Sequence, residues 1–291
     1  MTDGSRKVLI RVVGAPLLLA AVGLVLWVDY PSPGGTALRL LLAGVAALSS
    51  LEFYGLCADR GIPTARVAGT AAAAAMILPW PGLARGAGGP GIPAGPAAMD
   101  LLVPALLVLY VLGKLVFRHG AFPVEGAAFT LAGFAYVGLL AFLVRPPLAG
   151  REAWYYLLFL LAANKGSDMA AYAAGKAFGR HRMAPRLSPN KTWEGAVAGA
   201  AAGTAAGGAV LLASPLRAAC GGIPAAGLLG MALVVTIASQ VGDLAESAFK
   251  RWAGVKDSGR LLPEFGGMLD LVDGFLVSVP VAHVLFRVLA S

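Results

Sequence analysis

The chain has 291 residues, of which 58% are hydrophobic and only 13% charged, against about 25% charged in a soluble domain. That balance excludes an ordinary soluble enzyme. In the absence of a nucleic-acid motif, the net charge of +8 points to cytoplasmic loops beside anionic headgroups, with no nucleic acid among the expected partners. The apolar residues gather in blocks of roughly 17–22, the length at which a helix crosses a bilayer, and no series of short alternating strands suits a barrel. The expected fold is all-α, a polytopic integral membrane helix bundle. Its two cysteines, Cys57 and Cys220, form neither a disulfide framework nor a metal-ligand pair. Near opposite membrane faces, they are expected to stay unpaired.

Nine spans are predicted, roughly at 8–28, 36–56, 64–82, 99–117, 125–145, 153–175, 193–213, 225–248 and 268–289. Arg6, Lys7 and Arg11 precede the first, which is read as a retained span because its apolar run continues to Val28 and many more follow. The third is the weakest, short and alanine-rich, ending at Pro79-Trp80-Pro81, and the Gly/Pro-rich segment from Gly82 to Pro96 reads as a loop. The longest polar connections lie at 176–192 and 249–267. With the N-terminus inside, most of the 23 Lys and Arg residues fall on the cytoplasmic side, so the expected topology is N-inside and C-outside, with both polar connections facing the cytosol. No repeat or separate soluble domain is evident. Residues 1–291 read as one membrane domain, in which the spans of 1–150 precede a half, 151–291, that carries the polar motifs.

Two polar clusters interrupt the apolar pattern. In the first, Asn164 to Gly195, the residues Asn164, Asp168, Tyr172 and Lys176 follow one helical stripe. A span that turns polar in its inner half should face a wet cavity, because an aspartate exposed to lipid costs at least about 2.5–3.5 kcal/mol. The alternative is that Asp168 pairs with Lys165 or a neighbouring helix. Further along, Ser188 or Asn190 can cap the next helix, with Pro189 near its first turn and Lys191 beside its free N–H groups. That arrangement suits phosphate, or else a capped interfacial helix anchored by Trp193.

The second cluster runs from Gly242 to Asp273. Asp243 and Glu246 share a helix face with Ser247 and Lys250, and Asp270 and Asp273 repeat the three-residue step at the start of the last span. Lys250, Arg251, Lys256 and Arg260 could bind phosphate oxygens, with Asp257 directly after Lys256, and Gly266-Gly267 permits a sharp turn or close backbone approach. Carboxylates drawn from two helices suit a hard cation such as Mg²⁺. The alternative is a loop of ordinary salt bridges before a helix whose first turn favours aspartate. Of the histidines, His119 and His181 read as loop residues and His283 as packing within the last span.

Taken together, these residues resemble the phosphatidate cytidylyltransferases, or CDP-diacylglycerol synthases, whose signature reads approximately S-x-x-K-R-x4-K-D-x-G, then P-G-H-G-G, then D-R-x-D. Ser247, Lys250, Arg251, Lys256, Asp257, Gly259, Pro263, Gly266, Gly267, Asp270 and Asp273 fit it, as do SPNKTWEG at Ser188–Gly195 and Asp168, Ala171, Tyr172 and Gly175 in D-x-x-A-Y-x-x-G. The chain departs from the signature at Glu264-Phe265, where the family has Gly-His, and at Leu271, where it has Arg. Phenylalanine cannot titrate and leucine cannot bind phosphate.

The resemblance implies that CTP and phosphatidic acid react to give CDP-diacylglycerol and pyrophosphate, with the lipid phosphate attacking the α-phosphorus of CTP. It implies a bacterial inner-membrane protein with its active site facing the cytoplasm, dependent on Mg²⁺ and with room for a second cation, and it suggests a homodimer. Metal ligands would be Asp243, Asp270 and Asp273, and these with Lys191 form the catalytic set. Substrate contacts would come from Asp168, Ser188, Asn190, Lys191, Ser247, Lys250, Arg251, Lys256, Asp257, Gly266 and Gly267. Two rival functions follow from the same residues. Phe265 and Leu271 suit a catalytically impaired, lipid-binding or structural member of the family, and the intramembrane Asp168 and Asp243 suit an ion-coupled transporter, although no inverted repeat is visible.

Overall fold

The computed structural model describes residues 35–78, 96–117, 122–146, 148, 150–259 and 266–289. The expected first span, the Gly82–Pro96 loop apart from Pro96 itself, His119, Arg260, Pro263, Glu264 and Phe265 lie outside the described residues. Those described form the helices α1 (Thr36–Asp59), α2 (Arg66–Ile77), α3 (Pro96–Phe117) and α4 (Val124–Gly138), the last continuing as a 3-10 turn over Leu139–Val144. Then come α5 (Gly150–Phe178), the strands β1 (Arg182–Ala184) and β2 (Ser188–Thr192), α6 (Trp193–Ala213), the single turn α7 (Leu216–Ala219), α8 (Ala225–Ala253) and α9 (Met268–Leu289). Among the described residues six helices are long and apolar enough to cross a membrane: α1, α3 from Asp100, α4 with its 3-10 extension, α6, α8 and α9. Helix α2, with 12 residues, is shorter.

The described chain falls into two compact units, Gly35–Ala141 with Ser258–Leu269, and Phe142–Asp257 with the residues from Asp270 on. In the first, Phe53 and Tyr54 of α1 are almost fully buried. Tyr54 fills the space that a side chain at Gly69 of α2 would occupy, and a Cβ at Gly133 of α4 would lie 2.6 Å from both rings. Thr130 serves three groups at this junction. Its carbonyl accepts from the Tyr54 hydroxyl at 2.8 Å, its hydroxyl accepts from the Ala65 N–H at 2.9 Å, and that hydroxyl donates to the Gly126 carbonyl at 2.6 Å. Each of these buried groups is thereby paired, as buried polar groups generally are.

The second unit is built on a close antiparallel pair, α5 and α6. Glycines recur every fourth residue along one face of α6, at 195, 199, 203 and 207. A Cβ at Gly195 would lie 2.7 Å from the Ala171 carbonyl, at Gly199 2.9 Å from that of Ser167, and at Gly203 2.6 Å from that of Ala163. The three carbonyls are themselves four residues apart on α5, so two backbones meet along matched stripes, the small-residue packing on which membrane helices rely. Tyr156, Phe159, Leu211, Met231 and Phe286 fill the remaining core from α5, α6, α8 and α9, and His283 lies against the Phe142 ring at 4.9 Å.

Helices α5 and α8 each have 29 residues. At 1.5 Å per residue each reaches roughly 44 Å, well beyond a hydrocarbon core of about 30 Å. Apart from Arg151 and Glu152 in the first turn of α5, both carry their charged residues in the C-terminal part, and α8 stops at Gly254, whose φ of 81° is the left-handed conformation that favours glycine. The polar connection after α5 is a two-stranded antiparallel hairpin pairing Arg182 with Thr192 and Ala184 with Ser188, an addition to the all-helical expectation. The expected cap of α6 also changes. Ser188 and Asn190 lie in β2, and the Thr192 side chain instead accepts from the Gly195 N–H at 3.1 Å. Cys57 and Cys220 are free and buried.

Candidate active site

The polar ends of α5 and α8 meet the hairpin around a cavity of about 540 Å³. Asp168, Tyr172 and Lys176 line it from the α5 stripe, Arg182, Asn190 and Lys191 from the hairpin, and Gln240 and Asp243 from α8. Gln240 braces three helices, since its Nε2 donates to Ser167 Oγ at 3.1 Å and to the Ala196 carbonyl at 3.0 Å. Lys165 pairs with Asp168 at 2.9 Å, with both side chains well exposed, so this contact leaves Asp168 accessible. Asn164, on the same stripe, is buried instead, donating to the Leu160 carbonyl and accepting from Ser278 Oγ at 3.0 Å.

The hairpin is fastened at its base by Glu194. Its carboxylate accepts from the Arg180 and His181 N–H groups and pairs with His181 Nδ1 at 2.6 Å. Arg251 secures the tip, its Nε donating to the Leu187 carbonyl and its Nη1 to the Val255 carbonyl, both at 2.9 Å. These contacts present Asn190 and Lys191 to the cavity. Trp193, with 56% of its surface exposed at the first turn of α6, suits an interfacial anchor.

Next to the cavity, carboxylates converge from α8 and α9. Gly242 and Gly274 permit this, because a Cβ at Gly242 would lie 2.6 Å from the Asp273 carbonyl and one at Gly274 2.5 Å from Ser239 Oγ. Oxygens of Asp243, Glu246 and Asp273 consequently lie within 4.8 Å of one another. Lys191 Nζ is 2.6 Å from Asp243, and Lys250 Nζ is 2.5 Å from both Glu246 and Asp270. Asp273 Oδ1 also accepts from the Gly274 N–H. Glu246 is fully buried, and its Oε1 has no hydrogen-bond partner.

Four carboxylates face two ammonium groups here, leaving two negative charges when all are ionised. Buried like charges at this range repel strongly unless a cation joins them. An all-oxygen donor set from two helices, an orphaned buried carboxylate oxygen and an excess of two charges fit a hard divalent ion.

Of the expected site residues, the structure brings together Asp168, Asn190, Lys191, Asp243, Lys250, Asp270 and Asp273. Asp270 is held by Lys250, while Glu246 joins Asp243 and Asp273. Lys250 lies between two acids with 13% of its side chain exposed, and Ser247 is buried beside it. Ser188 lies in the hairpin strand, whereas Lys256 and Asp257 are exposed on the turn after α8, outside both the cavity lining and the cluster. Gly266, with a φ of 88°, and Gly267 belong to the other compact unit. Tyr172, Lys176, Arg182 and Gln240 line the cavity and Glu246 joins the cluster, although none was assigned a site role from the sequence. Tyr172, Lys176 and Glu246 stood on the recognised stripes, while Arg182 and Gln240 carry no local signal.

The chain is similar to known proteins along most of its length. A protein of Brucella suis biovar 1 (strain 1330), named phosphatidate cytidylyltransferase, is 45% identical over 170 residues, covering 57% of this chain and 60% of its own length. A Staphylococcus aureus (strain COL) protein of the same name is 34% identical over 194 residues, covering 66% of this chain and 72% of its own. The alignment therefore takes in less than two thirds of the Brucella protein. The Cytidylyltransferase family model matches residues 9–289, a range that holds every helix described above. With that match along nearly its whole length, and the cavity and carboxylate cluster inside it, the chain belongs to the cytidylyltransferase family.

Proposed function

We propose that this protein is a phosphatidate cytidylyltransferase of the bacterial cytoplasmic membrane, converting CTP and phosphatidic acid to CDP-diacylglycerol and pyrophosphate. One observation carries the proposal. Asp243 belongs both to the cavity lining and to the carboxylate cluster, and it is paired with Lys191. A nucleotide in the cavity would thus lie against the cluster. The relatives bearing that name come from bacteria, and the apolar helices supply the bilayer from which a diacyl substrate must come.

In this reaction an oxygen of the lipid phosphate forms a bond to the α-phosphorus of CTP as the bond to the β-phosphate bridging oxygen breaks. A phosphate monoester is already nucleophilic at neutral pH, so the main needs are in-line positioning and neutralisation of charge. Lys176, Arg182 and Lys191 line the cavity with positive charge, Asn190 offers an amide, and Asp168 orients the adjoining cations. Asp243, Glu246 and Asp273 would hold Mg²⁺, which when bound supplies charge stabilisation to phosphoryl oxygens. Lys250 neutralises Glu246 and fixes Asp270 beside it, so Asp270 shapes the cluster from its edge. We further propose nine spans with the N-terminus inside, which puts the site in the cytosol with CTP.

The test is turnover by the purified protein. CTP and phosphatidate should yield CDP-diacylglycerol and pyrophosphate in equal amounts with Mg²⁺, and neither product with excess chelator. Binding of both substrates without turnover would overturn the enzymatic reading, as would undiminished turnover without a divalent ion the Mg²⁺ assignment.

A further inference from the structure

Glu52 is an acidic residue within a largely apolar helix, α1, far in sequence from every motif discussed above. Its carboxylate is fully engaged by the first compact unit. Oε1 accepts from the Met268 N–H and Oε2 from the Leu269 N–H, both at 2.8 Å, and Ser258 Oγ donates to Oε2 at 3.0 Å. The two signature glycines on either side of the intervening segment are moulded to it. A Cβ at Gly259 would lie 2.5 Å from Oε1, and one at Gly267 within clashing distance of Oε2. Five residues thus converge on one side chain.

The first N–H groups of a helix have no partner within it, and an anionic acceptor there is favoured by both hydrogen bonding and the helix dipole. Glu52 supplies that acceptor to the first two residues of α9, a geometry that a shorter or neutral side chain cannot reproduce with both oxygens. Asp270 is the next residue along that helix and Asp273 lies one turn further. We propose that Glu52 is a positioning residue for the cytidylyltransferase reaction. By capping α9 and gripping Ser258 and Gly267, it fixes the first turn of the helix that delivers Asp270 and Asp273. Gly259 and Gly267 are glycine because Glu52 occupies the space beside them. This inference rests on the carboxylates of α9 serving the reaction proposed above.

The experiment uses the full-length protein with Glu52→Gln and Glu52→Ala, assayed beside the wild type. Displacement of reacting groups by about 1 Å costs up to roughly 100-fold, so E52Q should lower kcat about tenfold and E52A more. The Mg²⁺ concentration at half-maximal rate should rise while KM for CTP stays within about twofold, since the cavity lining is untouched. Independently of activity, hydrogen exchange in the peptide 266–273 should quicken in both variants without a general loss of protection. Normal kcat and metal dependence in E52Q would overturn the proposal, as would lowered kcat with unchanged exchange at the start of α9. If E52A does not accumulate, E52Q, of nearly equal size, decides. A wild type without turnover would refute the enzymatic reading alone, leaving exchange to test the cap.

Discussion

Removing single charges should separate the two parts of the site, because an anion and a cation near a metal act with opposite sign. A unit charge about 4 Å away contributes from about 1 kcal/mol in water to about 4 kcal/mol at an effective dielectric near 20. Glu246→Gln removes a fully buried carboxylate from the cluster, and it should raise the half-saturating Mg²⁺ concentration about tenfold or more. Lys191→Ala removes a cation 2.6 Å from Asp243. It should leave that concentration unchanged or lower it, while raising KM for CTP about tenfold through the loss of a charge-assisted contact. Metal titrations of initial rate at fixed CTP, and CTP titrations at saturating metal, read the two effects. An unchanged metal requirement in E246Q would remove Glu246 from the ligand set. Such a residue could be located but not assigned from spacing. The i, i+3 step puts Glu246 beside Asp243 and the i, i+4 step puts Lys250 beside Glu246, yet neither tells which acid the lysine neutralises. That depends on where α9 crosses α8, a relation set by Gly242 and Gly274. Arg251, expected at phosphate, donates to the Leu187 carbonyl of the hairpin, a contact that spacing cannot supply because it depends on a partner brought close only by the fold.

At the scale of the element, apolar length made the helices legible and left their contacts hidden. The expected spans at 193–213 and 268–289 coincide with α6 and α9, the first beginning after the polar Lys191-Thr192 and the second after Gly266-Gly267. The α5–α6 seam could have been read from the four-residue glycine period, but its partner could not, because the carbonyls it meets belong to backbone and carry no side-chain signature. The hairpin was likewise obscured by Ser188 and Asn190, whose side chains suit helix caps as well as strand ends. Gly203→Ala tests the seam. The new Cβ would lie 2.6 Å from the Ala163 carbonyl and 2.5 Å from Thr236 Cγ2, and overpacking against backbone costs typically about 1–3 kcal/mol. Its thermal midpoint in detergent should fall. The control is Gly44→Ala in α1, where a Cβ meets nothing within 4 Å and the helix gains roughly 0.5–1 kcal/mol from the lost flexibility of glycine. That variant should melt at or above the wild-type temperature. Equal midpoints for the two would show that the seam is looser than its geometry implies.

For the whole molecule, the decisive property is the side of the membrane on which the carboxylate cluster lies. The cluster and cavity occupy the polar C-terminal ends of α5 and α8, and Lys256 extends from the same end of α8. A site for CTP has to open to the cytosol, and the excess of Lys and Arg on that side favours the same orientation. The turn at Gly222, ahead of α8, then lies outside. Single cysteines at these two positions test the arrangement, in a chain whose Cys57 and Cys220 are replaced by serine. Both native thiols are buried, and burial holds the Cys220 thiol above its ordinary range, so neither should report topology well. Lys256 is exposed, and a Cβ at Gly222 meets nothing within 4 Å, so both substitutions should be tolerated. A membrane-impermeant maleimide should label K256C in inverted vesicles and G222C in right-side-out vesicles, with each signal absent from the opposite preparation. The converse pattern would put the cluster on the face without CTP and defeat the cytidylyltransferase reading at once. Labelling of both cysteines in the same preparation would mean that α8 does not cross the bilayer, although its 29-residue, largely apolar length is sufficient to do so.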